Sequence, residues 1–120
     1  MRALRHIVST LKLKQVILNL LKNALEAFSV DETGYIRFDA CITDQISGDS
    51  PRLSIMIRDS GCGIPKERLE NIFQPFVTYK SGGTGLGLPL SKRIIEAHQG
   101  RLLVYSTIGT GTTFTILLPI

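Results

Sequence analysis

Two asparagines four positions apart are the first residues of this chain whose type and spacing could do chemistry. Asn19 and Asn23 share one face of a predicted helix, beside its apolar stripe. Amide oxygens suit Mg²⁺, which usually keeps several waters and bridges protein to phosphate. Asparagine is a poor helix former, so two of them inside a helix need a reason. The alternatives are a metal site and a pair of solvent-exposed amides.

A carboxylate ahead of a glycine turn is the second candidate. Asp59 continues the inward-facing alternation of a predicted strand, and Gly61 and Gly63 follow it. An inward carboxylate needs a donor, because an unpaired buried charge is costly, and the amino group of an adenine is one candidate. The commoner alternative is an aspartate that caps the turn by bonding to the glycine backbone. The two glycines allow either the close approach of a flat ligand or simply a tight turn.

A glycine-rich loop at residues 82–88 opens a second predicted helix. Such a loop offers free N–H groups and the positive end of the helix dipole to a phosphate. It lacks the Gly-Lys-Ser/Thr of a Walker A loop, and a polar loop rather than a strand precedes it, which excludes a dinucleotide fingerprint. Lys80, just ahead of the loop, could meet a γ-phosphate. The alternatives are a flexible connector and a solvated lysine.

The apolar pattern predicts the elements that must position these residues. Short or alternating apolar segments predict five strands, at residues 4–8, 35–42, 53–57, 102–106 and 112–118. Apolar steps of three and four, together with turn signals, predict helices at residues 12–28, 66–73 and 87–98. Loops are predicted at residues 43–51 and 74–85, and Gly100 is predicted to end the last helix.

The predicted element order is β-α-β-β-α-α-β-β, which is not the strict alternation of a doubly wound sheet. It predicts an α/β (α+β) two-layer sandwich, with the helices on one face of a mixed, largely antiparallel sheet. The second strand is predicted to be half-buried, with Ile36, Phe38, Ala40 and Ile42 on its inner face.

Composition limits the class of protein. The 120 residues are enough for one domain, and 43% hydrophobic with 20% charged residues excludes a disordered tail. No apolar run approaches the ~18 residues of a membrane span, and no signal peptide is recognisable. Cys41 and Cys62 form neither a disulfide framework nor a zinc motif, which favours two reduced thiols in a cytosolic protein.

The charge favours an ordinary solvated surface over nucleic-acid binding, and a small anionic ligand fits it equally well. The net charge of +4 is spread along the chain, and aromatic residues make up only 7% of it. A polyanion such as a nucleotide fits this charge.

Taken together, the chain resembles the ATP-binding catalytic domain of sensor histidine kinases, in the superfamily that also holds type II topoisomerases and the mismatch-repair ATPase. The resemblance runs over residues 12–120 and rests on five boxes in order: LNLLKNA at 18–24, DSGCGIP at 59–65, IFQPF at 72–76, GTGLGL at 83–88 and GTGTTF at 109–114. Any one box is weak, whereas five in this order are highly specific. The resemblance implies the Bergerat ATP-binding fold, with ATP and Mg²⁺ as cofactors.

The resemblance also implies roles. Asn23 would ligate Mg²⁺ and Asn19 would assist at the metal or the phosphates. Asp59 would take the adenine amino group, and Thr113 would join the water network around it. The remaining implied ATP contacts are Gly61 and Gly63 beside the base, and Ile64, Phe76, Lys80, Gly83, Thr84, Gly85, Leu86, Gly87 and Leu88. With Asn19 and Asn23, Lys80 completes the implied catalytic set.

The resemblance implies a nucleotide lid between two boxes. Gly83, Gly85 and Gly87 would form its hinge and the start of the phosphate-binding helix, while Phe73 and Phe76 would anchor it to the core. The lid is very short, as in the nitrogen-regulator-like subgroup of these kinases.

Two departures from the family pattern shape the expectation. Many members carry a lysine or arginine three residues after the second asparagine, where this chain has Glu26, so phosphate contact would fall to Lys80 or Lys22. The phosphoacceptor box is missing, because neither the acid nor the proline of that box follows His6. Residues 1–120 therefore look like a single catalytic domain that is cut from, or works with, a larger kinase.

The expected function is transfer of the γ-phosphoryl group of Mg²⁺-ATP to a histidine on a separate dimerisation/phosphoacceptor domain, in two-component signal transduction. The expected partners are that domain and, through the full-length kinase, a response regulator. Neither a nucleic acid nor direct membrane contact is expected, and the expected location is cytoplasmic.

Three alternatives differ in class. A clamping ATPase would place a glutamate base where this chain has Asn19. An anti-sigma-type serine kinase is a second alternative, although the GLGL run at 85–88 resembles the histidine kinases more. A degenerate ATP-binding module with only a scaffolding role is the third.

Overall fold

In the part of the chain that the structure describes, four strands form one antiparallel sheet, and the helices lie against one of its faces. The computed structural model describes residues 2–29, 31–43, 51–77 and 87–119, with the backbone alone for residues 2–9. The strands are β1 (Ile36–Thr43), β2 (Arg52–Asp59), β3 (Arg101–Thr107) and β4 (Gly111–Pro119), in the spatial order β1-β2-β4-β3. The helices are α1 (Arg2–Glu26), α2 (Lys66–Leu69) and α3 (Gly87–Ala97). The predicted two-layer sandwich is confirmed, and every ladder between the described strands is antiparallel.

The core lies between the inner face of the sheet and the apolar stripes of α1 and α3. Leu20 on α1, Ile57 on β2, Ile95 on α3 and Ile116 on β4 are fully buried. Strand residues alternate in and out, so the register of each ladder decides which polar side chains share the inner face with this core.

The predicted strand at residues 4–8 is wrong, because these residues belong to α1, which begins at Arg2. A short apolar run fits a strand or a buried helix segment equally well. Residues 2–26 contain neither glycine nor proline and are rich in strong helix formers, so nothing separates the run from the helix that follows. The observed element order is therefore α-β-β-α-α-β-β.

The predicted half-burial of β1 is not observed. The register places Phe38 opposite Ile57 and Ile42 opposite Leu53, so the predicted inner face is correct. Yet Phe38 is 50% exposed and Ile42 65% exposed. The main contacts between helices and strands in the described part of the chain run from α1 to β2 and from α3 to β3. Alternation therefore predicts the inner face of an edge strand but not what covers it.

The two shorter helices, α2 and α3, end differently from the prediction. The helix predicted at 66–73 is a single turn that ends at Leu69 and continues as turns. In α3 the left-handed residue after the helix is Gln99 (φ 62°) rather than Gly100. The N–H of Gln99 donates to the carbonyl of Glu96 at 2.9 Å and that of Gly100 to Ile95 at 2.9 Å, which is a Schellman motif.

The predicted loops at residues 43–51 and 74–85 fall largely outside the described residues. Among the helices that are described, none combines the length and the hydrophobicity that a membrane span requires.

Two glycines of the β3–β4 hairpin provide a matched test of backbone crowding. Gly109 and Gly111 both have positive φ, at 80° and 134°. A Cβ on Gly111 would meet the carbonyl oxygen of Asp59, whereas a Cβ on Gly109 has nothing within 4 Å. We expect Gly109→Ala to cost about 1 kcal/mol of unfolding free energy from backbone strain alone, and Gly111→Ala about 3 kcal/mol from strain plus collision. Urea unfolding of both variants measures the difference, and equal losses would show that the β2–β4 contact is not this close.

Candidate functional site

Asp59 lies at the end of β2 with its carboxylate on the inner face of the sheet. It is 4% exposed. Its Oδ1 accepts a hydrogen bond from the N–H of Gly61 at 2.9 Å and another from the N–H of Thr112 at 3.3 Å. The first bond is the turn-capping contact that sequence reasoning offered as an alternative. The second comes from β4, so the carboxylate is also held across the sheet, which turn capping alone does not require.

The glycine turn after Asp59 is pinned between two other segments. A Cβ on Gly61 would lie 2.7 Å from the carbonyl oxygen of Ala27, and one on Gly63 (φ 78°) would meet the carbonyl of Thr107. The N–H of Cys62 donates to the carbonyl of Ala27 at 3.2 Å, and the carbonyl of Cys62 accepts from the N–H of Gly109 at 2.9 Å. Close backbone packing therefore accounts for both glycines, and their place beside a bound base stays a prediction.

The register of β4 places Thr113 on the opposite face of the sheet from Asp59, and its implied place in a water network around the base stays a prediction. Thr113 pairs with Arg58 and lies on the outer face, whereas Thr112 pairs with Asp59 and lies on the inner face. Thr112 is 4% exposed and donates its N–H to Asp59. The residue beside the carboxylate is thus Thr112. The signal was in the sequence, because Thr112 is in phase with the buried Phe114.

Ser106 is a residue of this site that sequence reasoning missed. Its Oγ accepts from the N–H of Ile64 at 2.8 Å and lies 2.8 Å from the Oγ1 of Thr112. It ties the end of the glycine turn, at Ile64, to β4. The sequence indicates its position, because Ser106 is a hydroxyl residue two places after Val104 in the inward-facing series Leu102 and Val104 of β3.

Asn19 lies against the first turn of α3. Its Nδ2 donates to the Oγ of Ser91 at 3.0 Å. A Cβ on Gly87 would lie 2.6 Å from its Oδ1, so the amide sits where α3 begins and where a helix presents unpaired N–H groups. Ser91 is 2% exposed and was also missed by sequence reasoning. It stands three and four residues before the buried Ile94 and Ile95, which is the signal that places a hydroxyl on the buried stripe.

One face of α1 connects the two halves of the site. Asn19, Asn23 and Ala27 follow each other at intervals of four along this helix and the turn after it. Asn19 meets the start of α3, Ala27 meets the glycine turn after Asp59, and the half-buried Asn23 stands between them. Eight residues of helical rise place the two ends about 12 Å apart. The predicted asparagines therefore lie on the same face of α1 as the contact to the glycine turn that follows Asp59.

The remaining predicted residues fall into two groups. Leu88, in the first turn of α3, is half-buried and packs against the core. Phe73 also packs against the core, and the Nζ of Lys92 lies 5.1 Å from the centre of its ring. Phe76 is 75% exposed and has φ 66°, an uncommon backbone conformation for a residue with a side chain. Lys22 forms an exposed pair with Glu26, at 3.9 Å. The predicted site residues that lie outside the described part of the chain are Lys80, Gly83, Thr84, Gly85 and Leu86.

Comparison with known proteins decides the family. The family model described as "Histidine kinase-, DNA gyrase B-, and HSP90-like ATPase" matches residues 8–120. The chain belongs to this family. Among curated members of the family, the signal transduction histidine-protein kinase AtoS of Escherichia coli (strain K12) is 51% identical over 108 residues, which cover 90% of this chain and 17% of AtoS. Sporulation kinase E of Bacillus subtilis (strain 168) is 39% identical over 109 residues, covering 91% of this chain and 14% of that kinase.

Solved structures of histidine kinases share the fold of this domain. The mycobacterial sensor histidine kinase MprB superposes with a TM-score of 0.70 at 28% identity, over 90% of this chain and 70% of that chain. Full-length ShkA, in complex with AMPPNP, superposes with a TM-score of 0.74 at 30% identity, over 90% of this chain and 21% of that chain. The Bergerat fold implied by the five boxes is thereby confirmed. The chain spans less than a fifth of the length of AtoS and of sporulation kinase E.

Proposed function

We propose that this domain binds Mg²⁺-ATP and donates the γ-phosphoryl group to a histidine on a separate dimerisation/phosphoacceptor domain, as one step of two-component signalling. The observation that carries the proposal is the buried carboxylate of Asp59, fixed by N–H groups from its own turn and from β4. An acceptor held in this way at the inner end of a strand suits the amino group of an adenine. The kinship with named histidine kinases and the AMPPNP in the ShkA complex support the same ligand class.

The base end of the site is built from β2, β4 and the glycine turn. Asp59 would accept from the adenine amino group, and the ladder between β2 and β4 keeps its carboxylate in place. The Ser106 hydroxyl holds the N–H of Ile64 and the Oγ1 of Thr112, so the side chains around the base keep a fixed arrangement before ligand arrives.

The phosphate end is built from α1 and the start of α3. The residues present fit Mg²⁺, because Ser91 fixes the Asn19 amide beside Gly87, and an amide oxygen with water and phosphate oxygens is the donor set that this ion takes. We assign the ion to Asn23 with Asn19 beside it. Bound Mg²⁺ would neutralise the phosphates and hold their geometry.

The first turn of α3 would face the phosphates with its N–H groups, starting from Gly87 and Leu88. We also propose phosphate and lid contacts for residues outside the described part of the chain: Lys80, Gly83, Thr84, Gly85 and Leu86. The exposed Phe76 would close over the nucleotide at the edge of this lid.

The acceptor histidine and the signalling partners belong to other domains. In this proposal residues 1–120 are the catalytic domain alone, its partner is the dimerisation/phosphoacceptor domain, and a response regulator receives the phosphoryl group afterwards. The proposed location of the domain is the cytoplasm.

Water activation is disfavoured by the position of Asn19. The clamping ATPases would need a general base there, and an amide cannot take a proton from water at neutral pH. In this structure the Asn19 amide donates to Ser91, which holds its oxygen beside Gly87 for the proposed role at the metal or the phosphates.

Replacing Asn23 with alanine tests the phosphate end. We expect Asn23→Ala to weaken Mg²⁺-ATP binding at least about tenfold, because a ligand of the ion is lost, and to change metal-free adenosine binding less than about twofold. Isothermal titration calorimetry measures both affinities. Gln15→Ala is the matched control, because Gln15 is an exposed amide on the same helix.

Equal weakening of ATP and adenosine binding by Asn23→Ala would remove the residue from the metal site. Failure of the unaltered chain to bind Mg²⁺-ATP at all would overturn the proposed function itself.

A further inference from the structure

The outer face of the sheet carries a surface that the nucleotide site does not use. Residues that point away from the helices alternate with the core residues along every strand, and the ladders arrange them in rows. The row at the end nearest the β3–β4 hairpin, one residue per strand, consists of Arg37, Arg58, Thr113 and Tyr105. The next row consists of Asp39, Met56, Thr115 and Leu103.

Positive charge dominates this face. Its cations in the described strands are Arg37, Arg52, Arg58 and Arg101, and its one acid there is Asp39. Arg37 and Arg58 stand directly opposite each other, an arrangement that is unfavourable in the absence of an anion. Asp39 pairs with Arg37 at 2.7 Å, but both side chains are at least half exposed, so water screens much of that attraction.

A recess adjoins Arg58, one of these two arginines. It has a volume of about 100 Å³ and is lined by Arg58, Tyr105, Thr107, Thr110, Gly111 and Thr113. The lining combines a guanidinium with hydroxyl groups, which together donate to carboxylate oxygens. At this size the recess admits a carboxylate group, while sites for whole small molecules run from roughly 300 Å³ upward.

Apolar side chains beside the recess favour a protein as the source of that carboxylate. Met56 is 38% exposed and Leu103 40%, while the Tyr105 ring at the edge of the recess is 75% exposed. Tyrosine, methionine and arginine are the residues enriched where proteins bind one another. A nucleic acid is disfavoured, because Met56 and Leu103 interrupt the positive charge and Asp39 would face its phosphates.

We propose that this outer surface, centred on Arg37, Arg58 and the Tyr105 recess, docks an acidic segment of a partner protein. A glutamate or aspartate of the segment enters the recess and bonds to Arg58, and its apolar residues lie on Met56 and Leu103. The surface lies on the opposite side of the sheet from Asp59, so docking is independent of the nucleotide and of the proposed function.

The test uses the 120-residue chain and a fluorescein-labelled peptide of glutamates interspersed with leucines, read by fluorescence anisotropy. We expect Arg37→Gln/Arg58→Gln to weaken binding at least about tenfold, the loss that follows from removing charge-assisted hydrogen bonds. The matched control is Arg93→Gln, an exposed arginine on α3, which should change binding less than about twofold. ATP affinity should stay the same in both variants, which separates this test from that of the nucleotide site.

A charge exchange provides the second measurement. Arg37→Glu/Arg58→Glu should lose the glutamate peptide and gain one in which lysines replace the glutamates. Backbone amide shifts on titration should map to the outer residues of β2, β4 and β3. Equal binding of a glutamine version of the peptide, equal loss in Arg93→Gln, no gain of the lysine peptide or tighter binding of a single-stranded oligonucleotide to the same residues would each overturn the proposal.

Discussion

Asp59→Asn is expected to weaken ATP binding about a hundredfold and to reduce the preference for ATP over GTP. Oδ1 of Asp59 accepts from two backbone N–H groups, so an asparagine has no orientation that suits the site. With its oxygen toward Gly61 and Thr112, its NH₂ faces the adenine amino group, which is also a donor. Turned round, its NH₂ faces the two N–H groups. A donor meets a donor in both cases.

Asp39→Asn is the matched control for this substitution. Asp39 lies on the outer face of the sheet, where it forms an exposed pair with Arg37. Calorimetric titration with ATP and with GTP should leave that variant within about twofold of the unaltered chain, since exposed ion pairs contribute little. ATP binding of Asp59→Asn as tight as that of the unaltered chain would show that the carboxylate only caps its turn.

The second large effect concerns catalysis: the chain on its own is expected to bind ATP and to incorporate no phosphoryl label. Transfer needs an acceptor at about 3–3.5 Å from the γ-phosphate. His98 follows the last residue of α3, and the 11 residues of that helix separate it from Gly87 by about 16 Å. His6 precedes Asn19 by thirteen residues of α1, a helical distance of about 20 Å. Both backbone positions thus lie well beyond the distance that transfer requires.

Incubation with γ-labelled ATP measures the incorporation of label. Acid and base treatment then identifies phosphohistidine. A separate dimerisation domain that carries the acceptor histidine should restore labelling in trans. The matched controls are His6→Ala and His98→Ala, which should leave that labelling unchanged. Stoichiometric acid-labile label on the chain alone, lost in either variant, would place the acceptor within these residues.

Much of the fold was predictable, because three of the four strands combine alternating apolar residues with clear turn signals. The same alternation correctly predicts Asp59 on the inner face. It also predicts Thr112 there, because Thr112 is two residues from the buried Phe114. What alternation cannot supply is the covering layer. Phe38 and Ile42 have the correct phase and remain half exposed or more, because burial of an edge strand depends on where distant helices pack.

The site was predictable in its parts but not in its connections. The five boxes indicate which residues bind ligand, but not that Ser91 would hold Asn19 or that Ser106 would link Ile64 to Thr112. Asn19 and Ser91 are 72 positions apart in the sequence, and Ile64 and Ser106 are 42 positions apart. A lone serine on an apolar stripe marks such a partner, but only the packed structure shows with which residue it bonds.

The ladder between β2 and β4 also sets an order in which the chain can fold. Each hairpin is local: Thr43 and Arg52 are 9 positions apart, and Ser106 and Thr112 are 6 apart. Asp59 and Thr112 are 53 apart, and closing that loop costs about 2 kcal/mol more in chain entropy than closing a hairpin. We therefore expect the two hairpins to form first and the carboxylate to meet its β4 partner when they dock. A nucleotide held at that junction acts on the docked state alone, so it slows the separation of the hairpins and leaves the rate at which each one forms unchanged.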